Sequence, residues 1–358
     1  MRPSVSGRDA RQNAPAPQTG AADNPALGEP SGAPVSDFPA DANAWARLLH
    51  RPHDKSASGD RVASLLGQRS WALFHWARDP YVLLITIYLF APYFANTVVG
   101  NGVRGQALSG SIQAYSGIVI AILAPFFGAI ADSGGRRKPW IGFFVAILIG
   151  AELLMWFAKP NSTGWDLFFV GALMATANVA YEFSTVFHNS LLPAIATDKR
   201  VASLSGLGYA LGNSAGILML LFMLIAFALP GIVPWPFIPA HPLFGIDQAL
   251  HEPERMAGPV CAVWLLIFSM ALFFFTPDRA KSSNSLIANM ISGVKNVVGT
   301  VRSLRHYRNV GLYLLARLFF NDGMTAVLVF GGIYASSTFH WGPIQMLLYG
   351  IELSIFAV

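Results

Sequence analysis

Apolar residues in this chain fall in long runs separated by short polar stretches. Eight runs reach or approach the roughly 20 residues a helix needs to cross a ~30 Å hydrocarbon core. They are 81–99, 107–131, 139–158, 167–187, 204–229, 257–276, 310–339 and 343–358. Trp71, Ala72, Leu73, Phe74 and Trp76 extend the first run upstream, which predicts a start near 70. The eighth run stops at Val358 without the polar flank that ends a span. Two segments depart from the pattern. Residues 1–70 are rich in Pro, Ala, Gly, Ser and Asp, with few large apolar side chains before Trp45. Too little apolar surface is available there to offset ordering entropy, so a disordered tail is expected. In 286–308 the residues Leu286, Ile287, Met290, Ile291, Val294, Val297, Val298, Val301 and Leu304 recur at steps of three and four, with Lys295, Arg302, Arg305 and Arg308 between them. That spacing predicts an amphipathic helix lying on the membrane surface. It sits in a connector, 277–309, between a six-helix bundle over 71–276 and two further helices over 310–358.

Composition excludes a water-soluble fold. Residues of the AVILMFWYC set make up 54% of the chain and charged residues 12%, against about 25% charged in soluble proteins. Mean hydropathy is +0.48. The fold class is therefore an all-α integral membrane bundle. Charge then orients it. With the N-terminus cytoplasmic, the tail, 132–138, 188–203 and 277–309 place 19 Lys/Arg inside, while Arg104, Lys159 and Arg255 lie outside. This is the asymmetry of the positive-inside rule. The same distribution accounts for the net charge of +5 and leaves no single basic face for nucleic acid. Cys261 is the single cysteine, which excludes an intrachain disulfide and a cysteine-built metal site. His241 and His251 lack ligand spacing. No nucleotide-binding glycine loop, zinc motif or nucleophile elbow is present, so no enzyme, metal or cofactor is expected.

Ionisable residues inside spans cost a few kcal/mol and usually mark a solute or proton pathway. The candidates are His75, Arg78, Asp79, Glu152, Glu182, Arg317, Asp322 and Glu352. Each has a structural alternative. Arg78 and Asp79 near the cytoplasmic interface can snorkel; Glu152 near the outer end of span three reads as interfacial. Glu182 has Asn178 one helical turn back, which suggests a polar lining. Asp322, beside Asn321, lies 13 residues into the 30-residue run 310–339 and is the strongest candidate; with Arg317 it is expected to find partners on other helices or in a cavity. Gly208, Gly212 and Gly216 put a flat stripe on one face of span five, read as packing or as a sliding contact. Pro92 and Pro125 are expected to kink spans one and two.

Residues 128–138 carry Gly128, Asp132, Gly134, Gly135, Arg136, Arg137 and Lys138. This resembles the loop between helices 2 and 3 of the major facilitator superfamily, G-x-x-x-D-(R/K)-x-G-R-(R/K), with Ser133 replacing a basic residue. The resemblance implies that Asp132 caps a neighbouring helix and that Arg136 pairs with it. Three more stretches narrow the likeness: Trp71 to Tyr81 with Phe90 to Phe94, Phe187 to Pro193 with Ser205 to Gly212, and Ala316 to Gly323 with Phe330 to Ala335. In order and spacing they resemble Y-D-W-A-N-S-x-Y…F-P-P-Y-F, F-Y-N-x-x-L-P…S-G-x-G-x-A-x-G and the helix 7 pattern of the vacuole-effluxer-like, autophagy-related branch. The departures are His75 for the family aspartate, Arg78-Asp79 for an Asn-Ser pair, and His188 for a tyrosine. In effect a carboxylate has moved one helical turn along the same face.

The resemblance implies a twelve-helix bundle of which eight helices are present, so the chain is expected to be C-terminally incomplete. It further implies a secondary transporter for a small, amino-acid-like solute, working by alternating access in a bacterial cytoplasmic membrane, with lipid and solute as partners. Protons through Asp322, Glu182 or Asp79 are the expected coupling route. A non-transporting membrane scaffold or relic is the alternative.

Overall fold

A computed structural model describes residues 54–132, 135–278 and 306–357, with single positions 49, 291, 295, 299 and 302. Helices form over each of the eight apolar runs. They are α1 (Leu65–Val98), α2 (Gly102–Asp132), α3 (Lys138–Leu154), α4 (Gly164–Ile195), α5 (Asp198–Met223), α6 (Glu252–Phe275), α7 (Arg308–Phe339) and α8 (Pro343–Ala357). Seven, all but α8, are long and apolar enough to cross a membrane. The chain is a multi-pass, all-α membrane protein.

Helix α1 begins earlier than its apolar run. Ser64 caps it, accepting a hydrogen bond from the Gly67 N–H at 3.2 Å, which satisfies one of the donors a helix start leaves open. Upstream, 54–62 folds into a small hairpin docked on the end of α4: the Ala57 N–H donates to the Ala196 carbonyl at 2.9 Å and the Ala63 N–H to the Ile195 carbonyl at 3.0 Å. Val62 and Ala63 are buried. The expected disordered tail therefore does not extend to residue 70, because these backbone donors meet the last carbonyls of α4. Residues 1–48 and 50–53 lie outside the described positions. So does most of the expected surface helix 286–308, of which Ile291, Lys295, Gly299 and Arg302 are helical and exposed.

The two prolines behave differently. Around Pro92, α1 loosens: its hydrogen bonds widen to five-residue steps, Leu89 N–H to Leu84 carbonyl at 3.1 Å and Val99 N–H to Phe94 carbonyl at 2.9 Å. The backbone breaks at Leu89, with φ −121° and ψ −64°. A proline has no N–H to close the preceding turn, and its ring crowds the carbonyl four residues back. Pro125 lies within an uninterrupted α2.

The core sits around α1, which packs against α5 and α6, while α3 packs on α4 and α6 and α2 on α4. Phe127, Trp140, Phe144, Phe183 and Phe187 join α2, α3 and α4 in one aromatic cluster. Helix α7 touches α1 and α2 through its second half, and α8 rests on α5. Leu314, Leu318, Phe320 and Val327 of α7 face outward, which suits contact with acyl chains as well as with protein.

Candidate functional site

The lower part of α1 presents its polar residues on a face closed by α4 and α5. Asp79 is the hub. Its Oδ1 accepts from Arg78 Nε at 3.1 Å, Arg78 Nη2 at 2.9 Å and the Tyr181 hydroxyl at 3.2 Å. Its Oδ2 lies 2.9 Å from His75 Nδ1. Asp79 follows His75 by one helical turn, so the i,i+4 geometry keeps the carboxylate in reach of the imidazole. Arg78 is 2% exposed, and its guanidinium stands 4.7 Å from the Tyr181 ring centre and 5.5 Å from Phe74. Snorkelling is excluded: the charge is turned inward, and ion pairing with cation–π contact compensates its burial. Arg78 Nη1 has no hydrogen-bond partner among the described residues.

The glycine stripe is the lid of this cluster. A methyl group at Gly208 would meet the His75 ring at 2.6 Å, one at Gly212 would overlap the Asp79 carboxylate, and one at Gly216 would overlap Leu83. Residues 75, 79 and 83 rise one turn at a time and mesh with 208, 212 and 216. Only hydrogen at these three positions lets α5 approach a polar face so closely.

Above the hub, the Tyr81 hydroxyl donates to Asn178 Oδ1 at 2.9 Å, and Asn178 Nδ2 donates to Gln113 Oε1 at 2.8 Å. The Tyr81 and Tyr181 rings stack at 5.2 Å. Below it, Trp71 Nε1 donates to the His188 carbonyl, and His188 Nε2 lies against the Trp71 carbonyl, both at 2.9 Å. Their rings stack at 4.5 Å. This reciprocal pair clamps α1 to α4. Glu182 is exposed and within electrostatic reach of Arg78.

Helix α7 does not join the cluster. Asp322, Asn321 and Arg317 are all exposed, and Asp322 makes no hydrogen bond or ion pair among the described residues. Arg317 Nη1 reaches the Tyr313 hydroxyl of its own helix at 3.5 Å. The expected partners on other helices are therefore missing from the described residues, because the stretch of α7 carrying these three packs against none of them. Glu152 departs in the opposite direction. It is 0% exposed rather than interfacial, with Gly258 of α6 against its carbonyl.

At the loop after α2, Arg137 is the buried arginine. Its Nε and Nη2 donate to the Ala131 carbonyl at 3.0 and 2.8 Å. Arg136, expected to pair with Asp132, is exposed; the Asp132 side chain and residues 133 and 134 lie outside the described positions. Asp278, just past α6, accepts the Arg137 N–H at 2.9 Å and the Lys138 N–H at 3.2 Å, which caps the start of α3 with a carboxylate. Gly128 faces open space, and Gly135 is half-buried.

A family model described as vacuole effluxer Atg22-like matches residues 98–358. The chain belongs to this family. It is also similar to an uncharacterized MFS-type transporter, YxiO, of Bacillus subtilis (strain 168), 24% identical over 274 residues. That likeness covers 75% of this chain and 60% of YxiO. Among Atg22-like proteins the chain is thus an MFS-type membrane protein rather than an enzyme, and it spans under two thirds of the length of that relative.

For an Atg22-like chain, the polar cluster draws on one face of α4 as well as on the ionisable residues of α1. Tyr181 and His188 follow Asn178 by three and ten positions, with Thr185 between them, so 178, 181, 185 and 188 make one face of α4. That periodicity is a signal in the sequence. No such signal points to Gln113, Trp71 or Tyr81, whose roles depend on which neighbour each helix meets.

Proposed function

We propose that this chain carries the solute- and proton-handling site of a secondary transporter that works by alternating access, with its N-terminus cytoplasmic in a bacterial inner membrane. The reading is supported by family membership and, above all, by one observation: Asp79 is held inside the first span by Arg78, His75 and Tyr181 at 2.9 to 3.2 Å, under the glycine stripe. A carboxylate with several interchangeable donors can exchange one of them for a proton or a solute group. Nη1 of Arg78, without a hydrogen-bond partner among the described residues, is a ready donor for an anionic group.

In this reading Asp79, rather than Asp322, is the coupling carboxylate, and the solute is small and polar, amino-acid-like as family kinship suggests. Glycines 208, 212 and 216 form the track on which α5 shifts against α1. Arg137 and Asp278 tie the starts and ends of α2, α3 and α6 on the cytoplasmic side, which fits a gate.

The test is flux. The full-length protein is reconstituted into vesicles loaded with a pH-sensitive dye and challenged with a panel of amino acids under an imposed pH gradient. Solute-dependent proton movement, abolished by Asp79→Asn and kept by Asp322→Asn, is the expected outcome. Unchanged movement in Asp79→Asn removes the coupling role, and absence of any solute-dependent signal removes the transport reading.

A further inference from the structure

A second polar site lies at the opposite end of α1. Where α1, the start of α6, the end of α7 and the start of α8 meet, they enclose a cavity of about 430 Å³. Its walls include Tyr88, Tyr93, Asn96, Trp341, His251 and Glu254. Glu254 belongs to the first turn of α6, where the helix dipole favours an ionised carboxylate. It is 5% exposed. Oε1 is met by His251 Nδ1 at 3.0 Å; no contact to Oε2 is found among the described residues.

The adjacent arginine is engaged elsewhere. Arg255 donates from Nε to the Trp156 carbonyl at 2.8 Å and stacks on the Trp156 ring at 4.6 Å. The Tyr93 ring stands 5.9 Å from His251, and its hydroxyl is spent on the Ala158 carbonyl. Trp341 and Tyr88 both pack edge-on against Tyr349. The cavity thus combines one nearly buried carboxylate, half-satisfied, with three aromatic rings. A carboxylate attracts a cation by charge, and aromatic faces attract it through their quadrupoles. The aromatic surface also rewards an apolar portion on the same molecule.

We infer that this outer cavity is a binding site for a small organic ammonium ion, with Glu254 as its counter-charge and Tyr88, Tyr93 and Trp341 as its aromatic wall. Ser336 and Ser337 of α7 hydrogen-bond Asn96 of α1 at 2.9 and 2.8 Å at its edge, so an occupant touches both sides of the α1–α7 contact. His251 competes with it. When protonated, the imidazole neutralises Glu254; when neutral, it leaves the carboxylate to the ligand. His340, Tyr88 and Tyr93 are the other titratable groups lining the cavity. The carboxylate beside His251 holds that imidazole above its ordinary range, so the ammonium binds more tightly as pH rises through that value.

The test is equilibrium binding to the full chain in detergent, read by calorimetry with 2-phenylethylammonium and its neutral counterpart 2-phenylethanol. The site requires no transport, so a chain that binds without flux leaves it standing. The ammonium is expected to bind about tenfold more tightly than the alcohol, as one charge-assisted contact warrants. Glu254→Gln removes the difference, and His251→Gln keeps it while flattening its rise between pH 6 and 8. Equal binding of the two probes, no binding of either, or full preference retained in a folded Glu254→Gln overturns the site. Should Glu254→Gln fail to fold, the pH arm decides: a preference that stays level from pH 6 to 8 in the native protein overturns it equally.

Discussion

Helices α1 and α7 each carry an aspartate inside an apolar span, and the two aspartates have opposite surroundings. Asp79 has an arginine, a histidine and a tyrosine on its oxygens. Asp322 makes no hydrogen bond or ion pair among the described residues. The contrast extends to the helices themselves: 72% of the most apolar window of α1 is buried, against 6% for α7. By depth within an apolar run, Asp322 is the better candidate. By partners, Asp79 is. Distance from the ends of a hydrophobic run limits access to water along the helix axis, but the neighbours around the helix decide whether a carboxylate is compensated.

Substitutions at the two aspartates break or sharpen this contrast most strongly. Asp79→Asn leaves the Arg78 charge buried without its counter-ion, which costs about 3–5 kcal/mol; Asp322→Asn neutralises a carboxylate inside an apolar span with no ion pair among the described residues, and is expected to cause no loss. Thermal unfolding in detergent, followed by tryptophan fluorescence, measures both, and equal losses would erase the distinction. Glycines give the next test. Gly212→Ala drives a methyl into the Asp79 carboxylate and is expected to destabilise by about 1–3 kcal/mol. Gly323→Ala meets open space on α7 and is expected to stabilise by up to about 1 kcal/mol through helix propensity. Opposite signs in the same unfolding assay support the close α1–α5 mesh.

Smaller effects refine the hub. Tyr181→Phe removes one donor from Asp79 while the arginine remains, for a loss of about 1 kcal/mol. A Tyr313→Phe change, which removes the acceptor for Arg317 on exposed α7, is expected to cost less than half of that. The smallest effect is a pH dependence at the start of α6. His251 is raised above its ordinary value by Glu254. Its contribution to stability is therefore complete below the unfolded histidine value of about 6.5 and is lost as pH rises through the folded one. The melting temperature should fall slightly from pH 6 to 8 in the native chain, and Glu254→Gln should remove that slope.

Much of the site was legible before any coordinates. Position 75, the Arg78-Asp79 pair, Asn178, Glu182 and the three glycines all stand out by residue type and spacing, and all but the exposed Glu182 hydrogen-bond within or pack directly on one cluster. The basic loop after α2 is equally plain, with Arg136 and Arg137 both in view, but only the fold distinguishes the buried Arg137 from the exposed Arg136. One residue is a rotation of about 100° on a helix, and the direction a side chain takes at a helix start is set by what it meets, here the Ala131 carbonyl and Asp278. Glu152 is buried for a related reason. Nearness to a helix end says nothing about whether another helix, α6 through Gly258, has closed over it.

The sequence by itself determined the class of this protein, the helices over its eight apolar runs and, through the glycine, proline and capping residues, much of their geometry. These follow from local causes: apolar length against bilayer thickness, Ser64 at a helix start, Pro92 inside a helix. Tertiary structure alone decided which polar residues work together. A hydrogen bond between Tyr181 and Asp79 joins residues 102 positions apart, and one between Asn178 and Gln113 joins residues 65 apart. Periodicity fixes the face on which a residue stands. Only the packing of one helix against another determines what that face meets.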